Sequence, residues 1–85
     1  MRLAKTDNFT SRYQKLPKPI QKKVDKQIKF LEKDFFYPSL RTKKLKGHSG
    51  WWEFRVDYHY RMIGEKNDDL IILHSVGPHD EVLRS

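Results

Sequence analysis

The stretch "WWEFRVDYHYRMI", residues 51–63, decides the fold of this chain, because apolar and polar side chains alternate on both sides of a short polar link. Alternate residues of a strand share a face. One face of this first strand carries Trp52, Phe54 and Val56, and the other carries Trp51, Glu53, Arg55 and Asp57. We expect the apolar face to pack against helices. Glu53 and Arg55 should then point away from them, where ionised groups avoid unpaired burial.

The C-terminal half of the chain predicts three strands, at 51–57, 60–65 and 70–76. The links between them, at 58–59 and 66–69, are short and polar. Short links of this kind join antiparallel neighbours. We therefore expect the three strands to pair as successive hairpins.

The N-terminal half predicts one short strand and two helices. Residues 2–6 alternate weakly as a strand does, and a helix cap follows at Thr6, Asp7 or Asn8. The first helix is marked by Phe9, Tyr13 and Leu16 at helical spacing. The segment "LPKP" at 16–19 then ends this helix and starts the next one.

The second helix is predicted from one apolar stripe, formed by Ile20, Val24, Ile28, Leu31 and Phe35. Residues 36–50 have no clean period, and we expect them to form an ordered connector into the sheet. The predicted fold is α+β with the order β-α-α-β-β-β. Two N-terminal helices would pack on one face of a small, mainly antiparallel twisted sheet, in a single domain over residues 1–85.

The amino-acid composition indicates which classes of molecule this chain could bind and which kinds of site it could contain. Among 85 residues, 18 Lys and Arg oppose 11 Asp and Glu, for a net charge of +7, which favours nucleic acid or an acidic protein. There is no cysteine, so disulfides, thiolate nucleophiles and Cys-based zinc sites are excluded. The N-terminus lacks the apolar core of a signal peptide and no run approaches a membrane span, so we expect a cytoplasmic protein that does not engage membranes.

The four histidines do not have the spacing of a metal site, and no G-x-S-x-G motif marks a nucleophile. We therefore expect neither a metal nor a small-molecule cofactor. RNA cleavage needs only a base, an acid and cations around the phosphate, because the 2′-hydroxyl is itself the nucleophile. Lys46, Arg55 and Arg61 are candidate phosphate stabilisers, and Glu53 and His79 are candidate proton carriers.

The order and spacing of several motifs resemble the RelE/ParE superfamily of toxin-antitoxin toxins, over nearly the whole chain. These motifs are "KLPKPIQKKVDKQIKFLEKD", "PSLRTKKLKG", "WWEFRVDYHYRMI" and "LIILHSVGPHDEV". The resemblance implies a RelE-like microbial RNase fold. It also implies metal-independent cleavage of mRNA on the ribosome, inhibition of translation, and neutralisation by an acidic antitoxin.

The resemblance also implies residue roles. Arg61 matches a strand arginine that contacts the scissile phosphate, and His79 matches a histidine or arginine that acts as acid or phosphate contact. Glu53 and Arg55 fall near two catalytic lysines of RelE itself, so Glu53 is a departure and the general base stays open. Leu83 stands where RelE-type toxins use a tyrosine.

Four residues next to the proposed site are assigned to RNA binding: Lys43, Lys44, His48 and Trp51. Alternatives stay open for several side chains. Arg61 could pair with Glu53 or Asp57, Trp51 could pack against an antitoxin, and His79 could be an ordinary loop residue. For the whole chain, the alternatives are a ParE-like DNA gyrase inhibitor and a catalytically weak module that binds RNA or an antitoxin.

Overall fold

The computed structural model describes residues 1–82. Its elements are strand β1 (Arg2–Lys5), helix α1 (Asp7–Gln14), helix α2 (Lys18–Lys33), a 3-10 turn (Pro38–Leu40), strands β2 (Lys43–Lys44), β3 (Trp51–Arg55), β4 (Tyr60–Asn67) and β5 (Leu70–Pro78), and helix α3 (His79–Val82). The predicted α+β class and the order of its main elements are confirmed. Across the described residues, no helix is long and apolar enough to cross a membrane.

The strands form one sheet in the order β1-β5-β4-β3-β2. β1 runs parallel to β5, and all other pairs are antiparallel, as the short links predicted. The prediction for 36–50 was incomplete, because this connector contains the 3-10 turn and β2. A strand of two residues is too short to produce a readable alternation. Gly47 and Gly50, both at positive φ, then turn the chain from β2 into β3.

Both long helices begin where the sequence predicted. Thr6 is the N-cap of α1, and its Oγ1 accepts a hydrogen bond of 3.1 Å from the backbone N–H of Phe9. Pro19 lies in the first turn of α2. The helices cover one face of the sheet, which we call the helix face. Its buried core includes Phe9, Val24, Leu31, Phe54, Met62 and Leu73.

The apolar stripe predicted for α2 extends beyond the C-terminal end of the helix. α2 ends at Lys33, and Asp34 is extended, so Phe35 lies beyond the helix although the spacing placed it on the stripe. Its side chain is nevertheless buried and packs edge-on against Trp52 and Phe54, with ring centroids 5.0 and 5.6 Å away. The burial of Phe35 is therefore set by the sheet and not by helical geometry.

Gln27 joins α2 to the end of β3. It is buried, and its Nε2 donates to the backbone oxygens of Ser39 and Arg55, at 3.1 and 2.8 Å. A buried amide needs such partners, because an unsatisfied polar group costs free energy. The contact fixes the backbone of Arg55 from the helix side while its side chain faces the other way.

The other face of the sheet, here called the far face, carries the candidate site. Cross-strand partners share a face, so the pairs Arg55 with Arg61 and Arg61 with Gly77 place these positions together. Helix α3 contacts β4 and β5 on this side, since a Cβ on Gly77 would lie 3.5 Å from Cγ1 of Val82. The far face is thus partly covered.

A β-bulge interrupts the β4–β5 ladder. Ile63 pairs with Ser75 and Gly64 with Leu73, so His74 is the extra residue. At Gly64 a side chain would be tightly packed, because an added Cβ would lie 3.1 Å from the carbonyl oxygen of Ile72 and 3.3 Å from Phe54. The bulge and its glycine fix the register of the far face.

Gly64→Ala should destabilise the fold by about 1–3 kcal/mol, the usual cost of overpacking a tight core. The matched control is Gly77→Ala, because the nearest atoms to a Cβ at that position are at 3.5 Å or more. Urea unfolding of both variants measures the difference. Equal stability of the two variants would contradict the packing described for Gly64.

Candidate active site

Arg61 lies at the centre of the far face and is only 7% exposed. Its Nη1 donates to the backbone oxygens of Asp57, Tyr58 and Tyr60. These carbonyls belong to the β3–β4 hairpin, so the guanidinium holds the turn from inside. Nη1 of Arg61 is therefore engaged within the protein, because a buried cation must find acceptors there, and the role of Arg61 as a phosphate contact stays a prediction.

Glu53 supplies the counter-charge of Arg61. One of its carboxylate oxygens lies 3.5 Å from Arg61 Nε, and the two side chains are 12% and 9% exposed. The expected position of Glu53 on the far face is confirmed. The expected freedom of its carboxylate is not, because the ion pair is largely buried and occupies it.

Arg55 lies directly opposite Arg61 in the β3–β4 ladder. Like charges at such positions destabilise a strand pair unless anions lie nearby. The Nε of Arg55 is buried and has no hydrogen-bond partner among the described residues. Unsatisfied buried donors are rare in folded proteins. Two facing arginines with an unpaired N–H form a local environment suited to an anion.

The hairpin loop beside these arginines is held by Asp57. Its Oδ1 accepts from the backbone N–H groups of His59 and Tyr60, at 2.8 and 2.9 Å, and its Oδ2 lies 3.1 Å from Lys23 Nζ. Burial alone would raise the pKa of Asp57, but the hydrogen bonds and Lys23 outweigh it and lower the pKa below the ordinary value. The carboxylate is thus the charged anchor of the loop.

His79 reaches the same region from the start of α3. Its backbone N–H donates to the carbonyl oxygen of His59 at 2.8 Å, and its imidazole Nδ1 lies 3.5 Å from Asp80. The His79 side chain is 47% exposed. An imidazole with this exposure is able to meet a substrate.

These groups surround one open depression of about 430 Å³, which we call the arginine depression. It is lined by Arg55, Tyr58, His59, Arg61, Pro78, His79 and Asp80. Three of the predicted catalytic residues, Arg55, Arg61 and His79, therefore come together as the sequence suggested. Glu53 adjoins them through its ion pair with Arg61.

A second depression of about 760 Å³, the tryptophan depression, lies elsewhere on the molecule. It is lined by Thr6, Asn8, Arg12, Leu45, Lys46, His48, Trp51, Ile63, His74, Ser75 and Val82. Lys46 is therefore separated from the other predicted catalytic residues and lies with His48 and Trp51. Trp51 and Arg55 are four residues apart on β3, which is about 13 Å.

Trp51 is partly occupied by a neighbour. The His74 ring lies 4.4 Å from the indole at an interplanar angle of 32°, and His74 Nε2 lies 3.4 Å from Glu65. His74 is thus a partly buried group with partners on β3 and β4. One side of the indole is covered by imidazole, so a base could stack only on the other.

Strand alternation separates the two connector lysines. Lys43 pairs with Glu53 on the far face, whereas Lys44 pairs with Trp52 on the helix face. Both lysines are exposed. The structure thus places Lys43, but not Lys44, on the side of the sheet that carries the arginines.

This chain is similar to a known protein family and to several solved structures. A model of the ParE-like toxin domain matches residues 18–81. The chain belongs to the ParE-like toxin domain family. Comparison with curated protein sequences gives no significant match.

Solved structures share the fold of this ParE-like toxin domain. The RelB-RelE antitoxin-toxin complex from Methanococcus jannaschii matches with TM-score 0.78 and 22% identity, over 94% of each chain. The YoeB/ParE toxin from Agrobacterium tumefaciens matches with TM-score 0.77 and 19% identity, over 93% of this chain and 99% of the other. YafQ from E. coli matches with TM-score 0.79 and 14% identity, over 96% and 98%. These likenesses confirm the predicted RelE-like fold.

Sequence reasoning missed three side chains of the two depressions in this ParE-like toxin domain. Tyr58 and His59 were assigned only to a polar link between strands, and Arg12 was given no role. Only the fold brings the hairpin tip to His79 and the α1 helix to β5. The spacing of Asn8 and Arg12, four apart on one helix side, was the one available signal for Arg12.

The absence of a metal from the site and the loss of the family's C-terminal tyrosine remain predictions. Within residues 1–82, no three His, Asp or Glu side chains lie together as metal ligands do. Leu83, at the position of the missing tyrosine, lies outside the described residues.

Asp57→Ala should destabilise the protein by about 1–2 kcal/mol at neutral pH, because two loop N–H groups lose their acceptor. Because the pKa of Asp57 is lowered in the folded state, its ionised carboxylate stabilises the fold at pH values above the ordinary pKa. This stabilisation is lost as the pH falls through the folded-state pKa. The deficit of the variant should therefore shrink in acid, below about pH 4.

Urea unfolding at neutral and acid pH measures this dependence. Lys23→Gln is the control, because it removes the ion pair but keeps both backbone hydrogen bonds. Its effect should be much smaller than that of Asp57→Ala. A deficit for Asp57→Ala that is the same at both pH values would contradict the charged role of Asp57.

Proposed function

We propose that this ParE-like domain is the toxin of a type II toxin-antitoxin system and an endoribonuclease that cleaves mRNA on the ribosome without a metal. One observation carries the proposal. Arg55 and Arg61 face each other beside His79, and the buried Nε of Arg55 has no hydrogen-bond partner within residues 1–82. Such a cluster suits a phosphate and the negative charge that develops on it during cleavage.

The proposed reaction uses the substrate's own nucleophile. The 2′-oxygen attacks the adjacent phosphorus, and the bond to the 5′-oxygen breaks, which leaves a 2′,3′-cyclic phosphate and a 5′-hydroxyl. Arg55 would bind the equatorial phosphate oxygens. Arg61, which keeps its hydrogen bonds to the hairpin, would stabilise the phosphate through its positive charge. His79, as acid, would protonate the 5′-oxygen as it leaves.

RNA on either side of the cut would extend along the far face toward the tryptophan depression. Trp51 is partly exposed, and Lys46, His48 and Arg12 line the same depression. Aromatic surfaces beside cations are the common way to bind single strands without sequence preference. Lys43 would add a phosphate contact on this face, whereas Lys44 would act only through long-range charge.

The proposed partners follow from charge. A net charge of +7 attracts ribosomal RNA and mRNA, and it also attracts an acidic antitoxin that would cover the same cations. The similar structures of RelE from Methanococcus jannaschii and of RelE from E. coli were solved as complexes with antitoxins. No cofactor has a role in the proposed chemistry.

The general base is the difficult part of this proposal. Glu53 was one of two candidate proton carriers, but its carboxylate is paired with Arg61 and largely buried. To accept a proton it would have to give up that ion pair, which costs stability when the partner charge stays buried. This observation favours the alternative of a catalytically weak binding module unless another group takes the proton.

The double variant Arg55→Ala, His79→Ala should abolish cleavage while the fold remains. Loss of one charge-stabilising donor alone typically costs about a hundredfold in rate. Arg61 is deliberately kept, because its removal would also release the hairpin carbonyls. The measurement induces each protein in cells and maps new 5′ ends within translated messages.

Lys29→Gln, on the exposed side of α2, is the control and should cut like the wild type. Equal new ends from the wild type and the double variant would contradict the assigned site. A gyrase supercoiling assay tests the second candidate, a DNA gyrase inhibitor, which the ParE-like family match favours. Growth arrest with inhibited supercoiling and intact messages would support that candidate instead.

A further inference from the structure

His59 is an imidazole in the arginine depression that the function proposed above does not use. It lies at the tip of the β3–β4 hairpin, is exposed, and lines the depression together with Arg55, Arg61 and His79. An exposed histidine on a loop is common. This one differs because its main chain is tied on both sides to groups of the site.

Two backbone hydrogen bonds hold His59 in place. Its N–H donates to Asp57 Oδ1 at 2.8 Å, and its carbonyl oxygen accepts the N–H of His79 at 2.8 Å. The ring of Tyr58 meets the imidazole edge-on, with centroids 4.9 Å apart. The peptide units of the two histidines are thus directly linked, and both imidazoles line one depression.

Among residues 1–82, the site contains two arginines for the phosphate, one histidine assigned as acid, and carboxylates that each contact another group of the protein. Glu53 is paired with Arg61, and Asp57 is occupied by two N–H groups and Lys23. The Asp80 carboxylate contacts His79. A neutral imidazole can accept a proton near neutral pH, and His59 is the second imidazole side chain of the arginine depression.

We propose that His59 is the general base of the RNA cleavage reaction and that His59 and His79 form an acid-base pair across the scissile phosphate. The inference rests on the proposed ribonuclease function and supplies the group that it lacks. Neutral His59 takes the proton of the 2′-hydroxyl as the bond from the 2′-oxygen to phosphorus forms. Protonated His79 gives its proton to the 5′-oxygen as the bond from phosphorus to that oxygen breaks.

Protons and bonds balance in this step without any co-reactant. The 2′-hydroxyl loses one proton to His59, the 5′-oxygen gains one from His79, and one bond to phosphorus replaces another. Both histidines then exchange protons with solvent. The charged groups that face the pair include Arg55 on β3, Arg61 on β4, Asp57 in the loop and Asp80 on α3. Lys23 on α2 contacts Asp57, and Glu53 on β3 contacts Arg61.

The pair predicts a pH dependence that neither histidine alone would give. The rate should rise with pH as the base loses its proton and fall again as the acid loses its own, which gives a bell-shaped profile. Removing the imidazole of His59 should remove the rise at low pH. The backbone bonds of residue 59 do not involve the side chain, so a substitution there should leave the loop in place.

The test uses the purified full chain with ribosomes programmed with a defined mRNA, in single-turnover cleavage between about pH 5 and 9. The variants are His59→Ala and His59→Gln, with Lys29→Gln as control. We expect His59→Ala to lower the rate by about 10²- to 10⁴-fold, the usual contribution of a general base. Ribosome affinity should stay the same, the low-pH rise should disappear, and added imidazole should restore part of the rate.

The results of this test distinguish failure of the role proposed for His59 from failure of the proposed ribonuclease function. If the wild type cuts and His59→Ala keeps its rate and both arms of the profile, His59 is not the base, and the ribonuclease function stands. A slower variant with an unchanged profile and no rescue by imidazole would assign His59 a structural role and overturn the inference. Absence of cleavage by the wild type at every pH would overturn both.

Discussion

The guanidinium of Arg61 is the contact on which the far face of this domain depends. It is buried, it donates to three hairpin carbonyls, and it pairs with Glu53. A buried charge is tolerated only when such partners satisfy it. The same contacts fix the loop that carries His59, and the ladder places Arg55 directly opposite. One interaction therefore shapes the hairpin and concentrates positive charge beside it.

This arrangement divides the labour among residues that look alike in the sequence. Arg61 mainly stabilises the hairpin through its hydrogen bonds. Arg55, whose Nε has no hydrogen-bond partner within residues 1–82, is the arginine better placed to bind an anion. Glu53 is the counter-ion of Arg61, and in the proposed reaction we therefore assign proton transfer to the two histidines that line the arginine depression. In this domain, strand register and a short hairpin bring the residues of the site together.

Much of this could be predicted, because strand alternation and the α2 stripe are direct consequences of burial. The face that holds Glu53 and Arg55 followed from their spacing alone. Three features did not follow. β2 is too short to show a period, the bulge at His74 shifts the ladder without a sequence signal, and the contact between His59 and His79 joins residues twenty positions apart. Long-range placement therefore decided which predicted residues meet: Arg55 and His79 do, and Lys46 does not.

The central claim is that this chain cuts RNA by attack of the 2′-hydroxyl within the arginine depression. Chemical analysis of the ends made by the purified protein on programmed ribosomes tests it most directly. The account predicts a 5′-hydroxyl on the downstream fragment and a 2′,3′-cyclic phosphate or 3′-phosphate on the upstream fragment. A 5′-phosphate on the downstream fragment, or an uncut message, would contradict it.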